Sequence, residues 1–183
     1  EEKAVREAFR LHSQGNIKEA SKYYQYFINQ GLKDPRIFLN FGAILHEQGD
    51  LQKAELLTRK AIKINPSFAE AYSNLSNILR DLGELQEAEI SARKAIKLNP
   101  NYSDAYLNLG SIFNSLNNLK DAEVFTRKSI KLNPYSAKAH NNLCKILIDL
   151  RKFKEAEIST RKAIELNPNY SDAYFNLGII LKS

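Results

Sequence analysis

The chain has 183 residues, 43% of them apolar and 26% charged, a balance that excludes a disordered polymer and suits a folded protein or a stack of smaller repeated units. Its longest apolar runs, such as Ile146-Leu147-Ile148, fall far short of the ~20 residues a membrane-spanning helix needs, and its one cysteine, Cys144, excludes an internal disulfide. The formal charge of +6 raises the question of nucleic acid or anionic lipid, which turns on where the charges sit.

In chain order, a first helix ends at Gly15, a residue suited to the left-handed conformation at a helix C-terminus. A second helix is predicted from Ile17 to Asn29. It is rich in tyrosine (Tyr23, Tyr24, Tyr26) and carries Phe27, which suits either an end cap or a contact surface. Gly31 ends it, Asp34 caps the next helix, and Pro35 takes that helix's first position. Further helices with apolar residues at helical spacing are predicted over Leu51–Ile64, Leu85–Leu98, Leu119–Leu132 and Phe153–Leu166. The helices between them start after a proline, which cannot continue the preceding helix. Ser67 with Glu70, Asn101 with Asp104, and Asn169 with Asp172 have capping-box-like spacing. These helices end at Gly49, Gly83, Asn117 and Arg151. Asparagine replaces glycine there at modest cost, whereas arginine predicts strain or an altered turn.

The elements recur in phase. Asn-Pro stands at Asn65-Pro66, Asn99-Pro100, Asn133-Pro134 and Asn167-Pro168, each 34 residues after the last, and Ala20, Ala54, Ala88, Ala122 and Ala156 keep the same interval. Ala71-Tyr72-x-Asn74-Leu75, followed by Gly83, Ala88, Ala95 and Pro100, supplies an aromatic, a leucine, a turn glycine, small residues and a closing proline. With this spacing the chain resembles the tetratricopeptide repeat family. The resemblance implies an all-α, right-handed superhelical solenoid of stacked antiparallel helix pairs. It implies a single array over 1–183, with repeats at 1–34, 35–68, 69–102, 103–136 and 137–170 and a first or capping helix at 171–183. Gly42, Ser76, Gly110, Cys144 and Gly178 on first helices are expected to face second-helix alanines and let the backbones approach.

The charges follow the repeat too. Glu55/Arg59, Glu89/Arg93, Glu123/Arg127 and Glu157/Arg161 are spaced i, i+4 in the favourable order. Lys60, Lys94, Lys128 and Lys162 follow directly. Interleaved signs of this kind mark a solvated outer face, and they argue against nucleic acid as a partner.

Stacked hairpins form an extended concave surface, and in the resembling family the first helices line it. Asn40, Asn74, Asn108, Asn142 and Asn176 occupy one place in five successive units. Each amide offers a donor and an acceptor, so such a row suits the backbone of an extended peptide. It resembles the asparagine ladder in the helical repeats of O-GlcNAc transferase. Asn77, Ser111, Asn141 and Lys145 complete the candidate peptide-binding face, with His12, His46, Arg80 and Asp81 as secondary groove candidates. The face lacks the consistent lysine and arginine set of family members that clamp a C-terminal carboxylate.

Catalytic signatures are absent: no phosphate-cradling glycine loop and no nucleophile elbow. His12 and His46 share a place in adjacent units without cysteine or carboxylate spacing for a metal. His140 takes the aromatic place of Tyr72, Tyr106 and Tyr174, which predicts packing. Cys144 takes a small-residue place, which predicts burial. No cofactor, metal or small-molecule substrate is expected; the expected partner is a protein or peptide. Two other expectations stand beside the scaffold. The chain starts at Glu1 and contains no methionine, which predicts a piece of a longer protein, such as the recruiting arm of a transferase-type enzyme. Phe175, Ile179, Ile180 and Leu181 on the final helix would support self-association through exposed repeat ends. A cytoplasmic location is the default expectation for such a chain.

Overall fold

The computed structural model describes residues 2–182. Among them are eleven helices and no strand: α1 (Glu2–Ser13), α2 (Ile17–Asn29), α3 (Pro35–Glu47), α4 (Leu51–Ile64), α5 (Ala69–Asp81), α6 (Leu85–Leu98), α7 (Ser103–Ser115), α8 (Leu119–Leu132), α9 (Ala137–Asp149), α10 (Phe153–Leu166) and α11 (Ser171–Ile180). The chain is an all-α helical repeat. It divides into two compact units, α1–α5 up to Glu84 and α6–α11 from Leu85 onward. The even-numbered helices occupy the spans that periodicity predicts.

Two kinds of helix alternate because two kinds of buried stripe alternate. The even-numbered helices bury narrow stripes at i, i+3, i+4 and i+7, filled mostly by small side chains: Ala54, Leu57, Thr58 and Ala61 on α4, and Ala156, Ser159, Thr160 and Ala163 on α10. The odd-numbered helices bury broader faces with larger residues, such as Leu107, Leu109, Ile112 and Phe113 on α7. A side chain of this size contributes about 1.5–3 kcal/mol when fully buried. In the first unit Tyr24 is completely buried among Val5, Ala8, Ile37 and Ile44, so the tyrosine-rich α2 acts as core there while Tyr26 stays exposed.

The small residues do allow close approach, and threonine completes it. A Cβ added to Gly42 would lie 2.9 Å from Thr58 Oγ1 and 3.2 Å from the Ala54 carbonyl. On Gly110 it would overlap Thr126 Oγ1 and stand 3.1 Å from the Ala122 carbonyl. In the next pair Thr160 donates its hydroxyl to the Ala156 carbonyl at 2.8 Å, and its Oγ1 lies 2.7 Å from Cys144 Sγ. Gly178 meets nothing within 4 Å.

The turns closing the odd-numbered helices share one geometry. The N–H two residues beyond the final cap bonds back to a carbonyl of the last turn: Asn16 to Leu11, Asp50 to Leu45, Glu84 to Leu79, Asn118 to Phe113 and Lys152 to Leu147. The preceding residue sits at positive φ, +77° at Gly15, +82° at Gly49 and +84° at Gly83. Asn117 at +58° and Arg151 at +59° take the same conformation. The expected alternative at Arg151 resolves as strain with the turn unaltered.

The Asn-Pro segments work differently from a capping box. The side chains of Asn65, Asn99, Asn133 and Asn167 each accept the N–H two residues on, from Ser67, Asn101, Tyr135 and Asn169. This Asx turn reverses the chain around the proline. The N-caps of α5, α7 and α11 are Phe68, Tyr102 and Tyr170, with no side-chain capping bond. Asp34 does cap α3, accepting the Arg36 N–H at 2.9 Å with Pro35 at the first position.

Candidate functional site

The packing gives each unit an inner and an outer side. In the second unit α7 touches α9 and α9 touches α11, each with Cα atoms within 8 Å, while among the described residues α8 and α10 make no such approach. Long side chains span that gap, Arg127 reaching Glu155 and Lys152 reaching Glu123 at 2.8 Å. In the first unit α3 touches α5, while among the described residues neither α1 and α3 nor α2 and α4 make such an approach. α3 and α5 in the first unit, and α7, α9 and α11 in the second, therefore lie on the inner side of their unit's bend.

On the inner side of the first unit, Asn40 is half-buried and donates to the Tyr24 hydroxyl at 3.5 Å. His12 Nδ1 lies 3.2 Å from the same hydroxyl. Burial pushes the Tyr24 phenol up, and the Asn40 hydrogen bond pulls weakly the other way. His46 Nε2 stands 2.7 Å from Asp81 Oδ2, and Arg80 bonds Asp81 Oδ1 at 2.8 Å. Asn74 and Asn77 sit one turn apart on α5, both half-buried. Asn74 has no described hydrogen bond, and Asn77 Oδ1 is shielded without a partner.

In the second unit the polar groups tie neighbouring helices together. Asn142 donates to Ser111 Oγ at 2.8 Å, Asn176 donates to Asn141 Oδ1 at 2.8 Å, and Lys145 reaches Asp172 at 3.2 Å. Asn108, Asn141 and Asn176 are buried, Asn142 and Ser111 half-buried, and Lys145 exposed. The asparagine row thus differs in accessibility along its length, from buried Asn108 and Asn176 to half-buried Asn40, Asn74 and Asn142. The residue list carries no signal of this difference, because burial depends on how the neighbouring helices pack around each position. Sequence reading also missed Asn114, whose Oδ1 is shielded and unpartnered.

The remaining chemistry-bearing side chains serve packing. His140 Nε2 donates to the Pro134 carbonyl at 3.0 Å, as the Tyr106 hydroxyl does to Pro100 at 3.2 Å. The aromatic place thus fastens each of these odd-numbered helices to the turn before it. Cys144 is fully buried, and burial pushes its thiol up. Among the described residues no group of three or more His, Cys, Asp or Glu is placed to hold a metal ion. No helix among them is long and apolar enough to cross a membrane. On the outer side the expected Glu–Arg pairs form at 2.8 Å, Glu55–Arg59 and Glu89–Arg93 among them. Glu123 accepts from both Arg127 and Lys152; burial works to raise its carboxyl, and these bonds outweigh it and hold it low.

Three described hollows lie between successive even-numbered helices. The largest of those described, about 620 Å³, is bordered by α2, the α2–α3 turn, α3 and α4. A period-34 signal for the even-numbered helices was present in the sequence: Leu56, Ile90, Val124 and Ile158 recur in register and are all exposed.

Three family models, each described as Tetratricopeptide repeat, match the chain: one over residues 69–102 and 137–170, one over 92–124 and 160–183, and one over 7–69. The chain belongs to the tetratricopeptide repeat family, an all-α helical-repeat solenoid fold. Comparison with curated proteins gives no significant match. Among solved structures it is similar to TTC0263, a thermophilic TPR protein of Thermus thermophilus, at 18% identity and a TM-score of 0.84, covering 100% of this chain and 99% of that one. It is also similar to MamA from Desulfovibrio magneticus RS-1, at 21% identity and a TM-score of 0.72, covering 93% and 96%. YrrB, described as a TPR protein with an unusual peptide-binding site, aligns at 23% identity and a TM-score of 0.62, covering 87% and 82%. Likeness at these identities shows the fold. That fold supports a protein-interaction scaffold role, and it is typically non-catalytic.

Proposed function

We propose that the chain is a scaffold that holds an extended peptide or a helix of a partner protein along the inner, odd-numbered-helix side of its units. The observation that carries this reading is the pair Asn74 and Asn77 on α5. Asn74 is a half-buried amide without a described bond, one turn from an amide oxygen that lacks a donor. The Asn74 amide offers both a donor and an acceptor to a peptide backbone laid along α5. In the second unit Asn142, Ser111 and Lys145 are the accessible contacts. Asn141 and Asn176, bonded to each other between α9 and α11, act behind them by fixing the helices, and Asn108 is buried.

The peptide-binding site of YrrB belongs to that protein, but a peptide-binding repeat of similar fold is consistent with this assignment. The test is a selection of random peptides against the chain, followed by calorimetry of the selected peptide with Asn74→Ala, Asn142→Ala and Lys145→Ala. Binding at least tenfold weaker for the combined variant, with unchanged helical circular dichroism, supports the assignment. Unaltered affinity removes these residues from the mechanism.

A further inference from the structure

We propose a second docking site, between α2 and α4 of the first unit, for an acidic peptide segment with a bulky apolar centre. The hollow of about 620 Å³ has a floor of Ile28, Leu32 and Phe38 and a rim of Lys33, Lys60 and Lys63. Its volume falls in the range of about 300–1,000 Å³ typical of sites that enclose a ligand group. No carboxylate lines it.

Three cations without a described ion pair border this one hollow. Arg59, Arg93, Arg127 and Arg161 each pair with the glutamate four residues before them. Lys33, Lys60 and Lys63 are exposed and have no described ion pair or hydrogen bond. The corresponding hollow of the second unit, about 430 Å³, has Ile130, Leu143 and Ile158 beside Arg127, Lys131 and Lys162, of which Lys131 alone has no described ion pair. There Arg127 is held by Glu123 and Glu155, and Lys162 by Glu165. Only the first-unit hollow, of these two, combines an apolar floor with three uncompensated positive charges.

That combination selects the occupant. The floor loses water favourably to an apolar side chain, and the rim attracts carboxylates flanking it. An acidic peptide supplies both. A nucleic acid would bring the polar edges of its bases onto a floor that offers them no hydrogen-bond partner, and a flat bilayer surface does not enter a recess walled by α4 and the α2–α3 turn. None of the residues that line it belongs to the proposed inner contacts, so the two are separable.

The probe is a fluorescein-labelled peptide with a Leu-Phe centre flanked by glutamates, followed by anisotropy at low and high salt. The expected result is saturable binding that weakens as salt rises. It should weaken at least tenfold when the glutamates become glutamines, and again when the Leu-Phe centre becomes Ser-Ser. Lys33→Ala/Lys60→Ala/Lys63→Ala should lose at least tenfold. Lys120→Ala/Lys138→Ala/Lys154→Ala, with the same change in net charge, should bind as the unaltered chain does. Absence of binding, equal loss in both triple variants, or indifference to the apolar centre would overturn the proposal. So would tighter binding of a mixed-sequence oligonucleotide or of phosphatidylserine vesicles. The two peptide controls use the unaltered chain, so the proposal stays testable however the variants fold.

Discussion

His46 Nε2 and Asp81 Oδ2 lie 2.7 Å apart, so the last turn of α3 is bonded to the last residue of α5. The two residues are 35 positions apart in sequence and meet because successive odd-numbered helices pack side by side. Burial works to raise the Asp81 carboxyl, but hydrogen bonds from Arg80 and His46 outweigh it and hold it below its ordinary value. A carboxyl depressed in the folded state adds stability above its unfolded pKa of about 3.9, and that stability is lost as pH falls through the lower folded value. The group is about a third exposed, so solvent screening limits its contribution to ~0.2–1 kcal/mol. Asp81→Asn should therefore be slightly less stable than the unaltered chain in urea near neutral pH, with the gap shrinking in acid. A gap that stays constant down to about pH 2.5 would contradict this account.

Gly110 and Gly178 should respond to alanine in opposite directions. On Gly110 the new methyl overlaps Thr126 Oγ1 and crowds backbone atoms 3.1 Å away, so Gly110→Ala should cost ~1–3 kcal/mol. Thr126→Ala in the same chain should recover part of that loss, a positive coupling measurable by a double-mutant cycle. Gly178 faces open space on α11, so Gly178→Ala should stabilise by ~0.5–1 kcal/mol through helix propensity. Equal effects at the two sites would refute the close-approach argument.

Arg151 holds φ at +59° in a turn that glycine occupies elsewhere. The left-handed conformation costs a residue with a Cβ roughly 1–2 kcal/mol. Arg151→Gly should raise the thermal midpoint, by a free energy somewhat below that cost because glycine gains entropy when unfolded. Gly83→Ala, at φ +84°, should lower it. Thermal melts followed by circular dichroism read both, and a destabilised Arg151→Gly would remove strain as the explanation.

Tyr24 is the buried polar hub of the first unit, its hydroxyl shared by His12 and Asn40. Burial raises its phenol above the usual value. The linkage sign is that of a raised group: the associated stability is intact below the unfolded pKa of about 10 and is lost as pH rises through the folded value. Tyr24→Phe should cost ~0.5–1.5 kcal/mol near neutral pH. In an ultraviolet titration it should remove the component that ionises at the highest pH. A titration curve of unchanged shape would count against the assignment.

The repeat, the helix spans and the turn positions were legible in the residues, because each rests on local chemistry. Proline stops a helix, Asn-Pro reverses the chain, and apolar residues at i, i+3, i+4 and i+7 define a face whatever lies beyond it. The sequence also placed the Glu–Arg pairs, since i, i+4 neighbours meet within one helix. It misread the capping boxes, because Asn65 and its counterparts supply Asx turns that satisfy the same segment with a different acceptor.

Accessibility belongs to the tertiary structure alone. Five asparagines at one repeat position are chemically alike, yet Asn108 and Asn176 are buried while Asn40, Asn74 and Asn142 are half-buried. That outcome depends on the distance and side-chain size of the neighbouring helices, which no local pattern encodes. The same is true of the lysine-rimmed hollow: Lys33, Lys60 and Lys63 read as ordinary surface charge until folding sets them around Leu32 and Phe38. A sequence of this kind dictates which faces each helix must bury. Only the packing of helix on helix decides which polar groups are left for a partner.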